Sequence, residues 1–351
     1  MIKEAIAKLT GKIDLSVEET RAVFEEMLGG MATPAQIAAF LIALKMKGET
    51  ADEIFSAAAV AREKAVKIFV RNSLAGIEDK DEPVFDTCGT GGSQAHKFNV
   101  STITAFVVAA SGIKVAKHGN RAVSSSCGSA DILEVLGVKI DANPAVMQEA
   151  IKKTGIGFLF APLYHPAFKT VAGVRKELGV RTIFNILGPL CNPAFADHQL
   201  LGVYDEKLLP VMADVFKKLG AKRVLIVYGK GVKDEISLCG ETKAIFLHNK
   251  NIKIITLRPS DFGLKKIVLN DIQVSDSAAA VRIARDIFDG KLSPCRDIVL
   301  ANAGACFYVL GKADDFKAGV KIAAELIDSG KVKAKFLEFK GYIDRNADDR
   351  R

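Results

Sequence analysis

Most residues of this chain that could do chemistry on an anion fall between Asp86 and Glu134, in the stretch DTCGTGGSQAHKFNVSTITAFVVAASGIKVAKHGNRAVSSSCGSADILE. Gly89-Thr90-Gly91-Gly92 is a turn with little side chain to keep a ligand off the backbone, and Ser93 follows it. Lys97, then Asn99-Val100-Ser101-Thr102, leads into the apolar run Ile103 to Ala110, which reads as a Ser/Thr-capped helix. Lys117-His118-Gly119-Asn120-Arg121 and Ala122-Val123-Ser124-Ser125, with Ser129 beyond, supply cations and hydroxyls. Glycines free backbone N–H groups, and a helix N-terminus adds the positive end of its dipole. Such a bed suits a polyanion, and a phosphorylated small molecule is the natural ligand. The glycine run alone does not carry this, being neither the dinucleotide fingerprint nor the Walker loop. Turns use glycine routinely, serines cap helices, and Lys117 or Arg121 alone could be surface charges. It is their combination within so short a stretch that points to a site.

The elements that must hold these residues follow from the pattern. A strand (Val84-Phe85) leads into the glycine turn, and a second (Ile113–Ala116) delivers the Lys117–Arg121 turn. Further strands are expected at Gly157–Phe160, Leu200–Tyr204, Arg223–Tyr228, Ala244–Leu247 and Ile252–Thr256. Helices are expected at Leu208–Leu219, Ala278–Asp289, Cys295–Leu310 and Asp315–Ser329. This alternation predicts an α/β fold with a parallel-rich central sheet flanked by helices. Ahead of it, Ser16/Glu19, Thr33/Gln36 and Thr50/Glu53 form capping boxes. They open helices at Val17 to Leu28, Pro34 to Lys47 and Ala51 to about Val66. Residues 1–72 are thus a small all-helical domain, 73–83 a charged hinge or linker, and 84–351 the α/β domain. The apolar stripes of the helical part (Ile37, Phe40, Leu41 and Leu44; Ile54, Phe55 and Ala58) fill its own core or meet another subunit. Pro166 to Gly188 is again helical, and the tail from Asp344 reads as a solvated end.

With 351 residues the chain has ample length for a core. A net charge of +8 favours anionic partners without separating a phosphate ester from RNA or a membrane surface. No apolar run approaches the roughly 18 residues of a membrane span, and the N-terminus lacks a signal-peptide core. Six cysteines are scattered with no CxxC pair, the pattern of reduced thiols in a cytoplasmic enzyme. No nucleophile elbow or catalytic-triad spacing is present.

The motifs GTGG, FNVST and KHGNRAVSS…GSADILE resemble those of the anthranilate phosphoribosyltransferases. His165-Pro166-Ala167, VRKELGVRTIFNILGPLCNPA (Val174 to Ala194) and Asp234-Glu235-Ile236-Ser237 extend the likeness, in order, over most of the chain. The resemblance implies transfer of a phosphoribosyl group from 5-phosphoribosyl 1-diphosphate (PRPP) to anthranilate, in tryptophan biosynthesis. It also implies a homodimer joined through the helical domain, to which 166–188 returns, and no partner of nucleic acid or membrane. On this likeness Gly89, Gly92, Ser93, Lys97, Asn99, Val100, Ser101 and Thr102 cradle PRPP from one side. Lys117, His118, Gly119, Asn120, Arg121, Ala122, Val123, Ser124, Ser125 and Ser129 close the other. Arg175 offers a fork to the anthranilate carboxylate, with Asn120, Gly89 and His165 completing that pocket. Asp234 and Glu235, with the Ser101 hydroxyl, become Mg²⁺ ligands; by themselves, adjacent acids on a loop are commonplace. No general base is expected, because the acceptor amine is neutral near pH 7 and the leaving diphosphate sets the demand.

Departures from the family pattern fall at Ser93 for a usual Asp, Lys97 for a usual Thr or Ser, Cys127 for Ser and Phe168 for Met. The diphosphate loop is more positive as a result. Two other readings stay open: a pyrimidine nucleoside phosphorylase or other-acceptor transferase on the same fold, and a catalytically silent relative binding nucleic acid through its charge. The absence of an aromatic stacking row or an arginine-rich segment weighs against the second.

Overall fold

The computed structural model describes residues 1–71, 73–74, 77–79, 81–91, 97–121 and 128–347. Four helices come first: α1 (Ile2–Thr10), α2 (Val17–Leu28), α3 (Pro34–Lys47) and α4 (Ala51–Glu63). All the expected capping boxes form, with Ser16, Thr33 and Thr50 accepting from the backbone of Glu19, Gln36 and Glu53, whose side chains return the bond. Helix α4 ends at Glu63, short of the expected Val66, where Lys64 caps it through bonds to Arg62 and Val60.

Two short strands, β1 (Ser73–Leu74) and β2 (Ile77–Glu78), then pair antiparallel with each other. Then come β3 (Val84–Gly89), α5 (Val100–Ala109), β4 (Lys114–Gly119), α6 (Ser129–Val135), α7 (Pro144–Thr154), β5 (Ile156–Phe160) and α8 (Ala161–Tyr164). Helices α9 (Lys169–Leu178) and α10 (Phe184–Leu187) follow, α9 packing on α2 and α3. The chain then forms β6 (His198–Gly202), α11 (Leu208–Lys218), β7 (Arg223–Gly229), β8 (Thr242–His248) and β9 (Asn251–Leu257). It finishes with α12 (Ser277–Phe288), α13 (Pro294–Val309), α14 (Phe316–Asp328) and α15 (Lys331–Asn346).

The sheet runs β5-β4-β3-β6-β7-β8-β9, parallel from β5 to β7 and antiparallel at β8 and β9. Alternation along β7 sends Leu225 and Val227 to one apolar cluster and Val224 and Ile226 to the other. One face is covered by α5, α7 and the C-terminal helices. The other is covered by α11, whose core is continuous with α1–α4, α9 and α10, so α4 packs directly on α11. The stripe residues Ile37, Phe40, Leu41, Leu44, Ile54 and Ala58 are buried within the chain.

Topology decides where a ligand can lie. From β3 the chain moves outward through β4 to β5, then returns to the opposite flank of β3 as β6. The connections leave in opposite directions above the carboxyl ends of β3 and β6, which opens a crevice there. The glycine turn begins at that point.

Candidate functional site

The carboxyl ends of four parallel strands each finish on a glycine: Gly89, Gly119, Gly202 and Gly229. These glycines serve close approach. A Cβ on Gly202 would stand 1.8 Å from the Asp234 carbonyl oxygen, and one on Gly229 would stand 2.3 Å from that of Glu235. A Cβ on Gly89 would come within 2.7 Å of Asp234 Oδ2. The acidic loop after β7 is therefore folded down onto the rim, and both carboxyl side chains are buried.

The N-terminus of α5 meets this loop from the other side. Its cap is Asn99, with no side-chain capping bond, so the expected Ser/Thr cap is not formed; Ser101 and Thr102 lie inside the first turn instead. The Ser101 hydroxyl is thereby turned to another use, while the buried Thr102 hydroxyl has no hydrogen-bond partner among the described residues. The Ser101 backbone N–H is bonded to the Glu235 carboxylate, and Ser101 Oγ accepts from Lys117 Nζ at 3.3 Å. Val100 is buried, its N–H bonded to the Phe98 carbonyl at 2.8 Å. Lys97 Nζ donates to Asp234 Oδ1 at 2.5 Å. Burial, with the like charge of Asp234, raises Glu235 well above the usual carboxylate range, and Lys97 acts against the shift.

Strand β4 extends further than expected. Lys117, His118 and Gly119 belong to the strand and not to the turn, because they pair with Phe158, Leu159 and Phe160 of β5. Lys117 is buried, not a surface charge; it donates to the Thr87 carbonyl at 2.6 Å, and burial lowers its pKa. Beneath it lies Asp86, fully buried and pushed up to about 6 by desolvation, with Lys117 and Asn192 pulling it down. Asn192 Nδ2 donates to Asp86 Oδ2 at 2.8 Å and to the Ala116 carbonyl at 2.7 Å, tying β3 to β4. His118 Nδ1 lies 3.0 Å from the Gly188 carbonyl. Since burial pushes this ring down to about 3, it is neutral, and a carbonyl can only accept, so Nδ1 carries the proton.

Past β4, Ser129 Oγ donates to the Asn120 carbonyl at 3.2 Å, close enough to Gly119 that a Cβ there would meet it at 2.3 Å. Arg121 is turned away from the rim, bonded to Glu134 at 2.7 Å and to Asp131 at 3.2 Å on α6. Gly92, Ser93, Ala122, Val123, Ser124 and Ser125 lie outside the described residues.

The anthranilate candidates form a separate line. His165 is buried and pushed down to about 4 by burial. Its ring is 5.1 Å from that of His118 and stacks on Phe168, also at 5.1 Å. Phe168 meets Phe184 edge-on at 5.3 Å, and Arg175 lies over Phe184 at 5.0 Å. Arg175, on α9, is thus half-buried against a ring, not an exposed helix charge, and it reaches β4 through consecutive ring contacts.

Sequence reasoning passed over Asp86, Asn192 and Arg181. Asp86 and Asn192 stand in quoted stretches (DTCGTGG, LCNPA) but read as ordinary strand and loop polars; only their pairing across β3 and β4 marks them. Arg181 Nη2 donates to the Gly91 carbonyl at 3.2 Å, and its guanidinium lies 4.0 Å over Tyr204. With the Thr90 N–H on the Gly202 carbonyl at 2.9 Å, it pins the near half of the glycine turn.

Among the described residues no group of three or more His, Cys, Asp or Glu side chains is arranged to hold a metal alone. Two adjacent carboxylates are nonetheless what Mg²⁺ uses when substrate phosphates and water complete its octahedron. The pair already draws a cation, the Lys97 ammonium, so the donor set fits a hard divalent ion.

Two families match the chain: a glycosyl transferase family helical bundle domain over residues 3–65, and a glycosyl transferase family a/b domain over residues 81–333. An anthranilate phosphoribosyltransferase of Geobacter sp. (strain M21) is 50% identical over 335 residues, covering 94% of this chain and 95% of its own. That of Persephonella marina is 50% identical over 332 residues, covering 94% and 96%. The crystal structure of the Thermus thermophilus enzyme superposes with a TM-score of 0.89 at 38% identity, over 97% of this chain and 99% of that one. The Saccharomyces cerevisiae enzyme in complex with PRPP and Mg gives 0.87 at 26% identity, over 98% of each chain. Sequence likeness along nearly the whole length, and a helical part and an a/b part that match in order, make this chain a member of the anthranilate phosphoribosyltransferase family.

Proposed function

We propose that the chain transfers the phosphoribosyl group of PRPP to the amine of anthranilate, releasing diphosphate and N-(5-phosphoribosyl)anthranilate. The observation that carries this reading is the convergence, at one switch-point crevice, of the Gly89 turn, the α5 N-terminus, Lys117 and the Asp234-Glu235 loop. Amides and cations there suit the diphosphate and the sugar phosphate; the acidic pair suits the ion that accompanies them.

Mg²⁺ held by Asp234 and Glu235, with the Ser101 hydroxyl, would neutralise charge on the departing diphosphate. The chain's own residues do the rest. Lys117, anchored on Thr87 and Ser101, fixes a buried positive charge beside the crevice. The glycine turn leaves room for the phosphates to approach the backbone, and the positive end of the α5 dipole faces them. Arg175, its face on Phe184, presents its edge to the anthranilate carboxylate, and the neutral ring of His165 lies on the path between them and β4. Bond breaking at the ribose C1 develops positive charge on the sugar, so the amine needs position more than activation. No residue acts as a general base.

In this reading residues 1–72 with 166–188 are the acceptor-side helical unit, 84–351 the PRPP-side body, and 73–83 the hinge. The exposed Met31 and Met46 on the helical unit support pairing of two copies through it. No helix among the described residues is long and apolar enough to cross a membrane, in keeping with a cytoplasmic enzyme. The test is loss of anthranilate fluorescence on adding PRPP and Mg²⁺: a decay requiring all components is expected, and none with purified, folded protein overturns the reading.

A further inference from the structure

Lys97 is placed where a divalent ion would otherwise find its first ligand. Its Nζ is 2.5 Å from Asp234 Oδ1, and both side chains are less than a tenth exposed. The backbone that delivers it is fixed: Lys97 bridges Gln273, the Phe98 N–H bonds the Ile272 carbonyl at 3.4 Å, and the Phe98 ring is buried. Asp234 lies close over the ends of β3 and β6, where a Cβ on Gly89 would stand 2.7 Å from its carboxylate and one on Gly202 1.8 Å from its carbonyl oxygen, so it has little room to draw back from the ammonium. Lys117, the other buried lysine at the rim, is committed to the Thr87 carbonyl and Ser101. The carboxylate of Asp234 is therefore wedged between strand ends and one ammonium.

A bare divalent ion approaching this carboxylate meets a like charge a few ångströms away in a poorly screened place, where repulsion is strong. An ion that arrives with a diphosphate is different, since the phosphate oxygens bring compensating negative charge and offer the ammonium a charge-assisted partner of its own. We propose that Lys97 is a resident counter-cation of the Asp234-Glu235 pair, refusing a free divalent ion and yielding only to one accompanied by a diphosphate. This rests on the reading of that pair as the place where an ion and a sugar diphosphate meet. It makes Lys97 a positioning residue that sets the order of binding, metal and diphosphate together and never metal first.

The test is titration of the full chain with Mn²⁺ by equilibrium dialysis, with and without inorganic pyrophosphate, the protein-bound ion being the total Mn²⁺ in excess over the protein-free side. The parent should take up no Mn²⁺ at millimolar concentration until pyrophosphate is added. Lys97→Met should bind Mn²⁺ alone at least about tenfold more tightly than the parent, and Asp234→Asn in that background should remove the gain. Lys97→Arg should behave as the parent. Equal Mn²⁺ affinity in parent and Lys97→Met, or submillimolar binding by the parent without pyrophosphate, overturns the proposal. Should Lys97→Met not fold, the parent's own titration decides by the same criterion. A parent that turns over anthranilate while Lys97→Met leaves Mn²⁺ binding unmoved loses this inference alone. One that shows the expected Mn²⁺ behaviour yet never consumes anthranilate loses the proposed function alone.

Discussion

Gly202→Ala isolates the support of the acidic loop from every chemical group in the site. Gly202 ends β6 in a conformation open to any residue, so alanine there meets no backbone penalty. Its methyl would instead stand 1.8 Å from the Asp234 carbonyl oxygen, 2.2 Å from the carbonyl carbon and 2.7 Å from Cα. Those are backbone atoms that no rotamer change can clear. Restoring an ordinary contact requires the Asp234 backbone to move by about 1.5 Å. Misplacing reacting groups by about 1 Å can cost roughly 10²-fold in rate, so kcat/KM should fall about 10²- to 10³-fold, or ~3–4 kcal/mol. Overpacking should destabilise the fold by only ~1–3 kcal/mol, lowering Tm by a few degrees, so the protein remains assayable. Anthranilate fluorescence decay gives the rate, and thermal unfolding the stability. Gly89→Ala, whose methyl meets the Asp234 side chain (Oδ2 at 2.7 Å, Cβ and Cγ at 3.3 Å), not its backbone, should cost less, roughly tenfold. Gly173→Ala, on an open face of α9, is the control and should be neutral or stabilising. A Gly202→Ala protein with kcat/KM within about threefold of the parent and unchanged Tm would show that the loop does not rest on β6.

Arg175→Ala should raise the anthranilate KM at least about tenfold while leaving that for PRPP within twofold, measured by initial rates; untouched anthranilate kinetics would remove Arg175 from the acceptor pocket. Asp234→Asn with Glu235→Gln should abolish Mg²⁺-dependent turnover, and substantial residual Mg²⁺ response would mean the ion sits elsewhere. His165 titrates near 4 in the fold and near 6.5 unfolded, so the unfolded chain binds the proton first and stability falls as pH drops below 6.5. His165→Phe should therefore shrink the stability lost on acidification, by up to about 1.4 kcal/mol per pH unit between 6.5 and 4, in urea unfolding at pH 5 against pH 7. Identical pH dependence of parent and variant would show that the ring is charged or solvated in the native state.

Local signals carried well through the first helices, because a capping box is a self-contained contact: Ser16/Glu19, Thr33/Gln36 and Thr50/Glu53 all formed as read. Strands written as unbroken apolar runs were also legible; Arg223–Tyr228 fell one residue short of the observed end of β7. Reading failed where tertiary pairing overrode the residue type. Lys117-His118-Gly119 reads as a polar turn, yet it is strand because β5 lies alongside with its hydrogen bonds unspent. Helices α7 and α15 were passed over, although Val332, Phe336, Phe339 and Ile343 stripe one face of α15, since the surrounding lysines masked the stripe. In the site, residue types were visible but their partners were not. Nothing in the spacing of Lys97 and Asp234 says that they touch, and Arg181 gains meaning only from the position of Gly91. The pairing of Arg121 with Glu134 and Asp131 was likewise invisible in the sequence. The convergence of distant segments on strand ends is a property of sheet order, which one sequence does not display.

The account depends on a single crevice at the carboxyl ends of β3 and β6. A crystal of this protein soaked with PRPP and Mg²⁺ tests it most directly. The diphosphate should appear against the Gly89 turn and the first turn of α5, with the ion between it and Asp234-Glu235 and with Lys97 drawn off Asp234. Density for the sugar diphosphate remote from Gly89, with the Lys97–Asp234 pair intact, would contradict it.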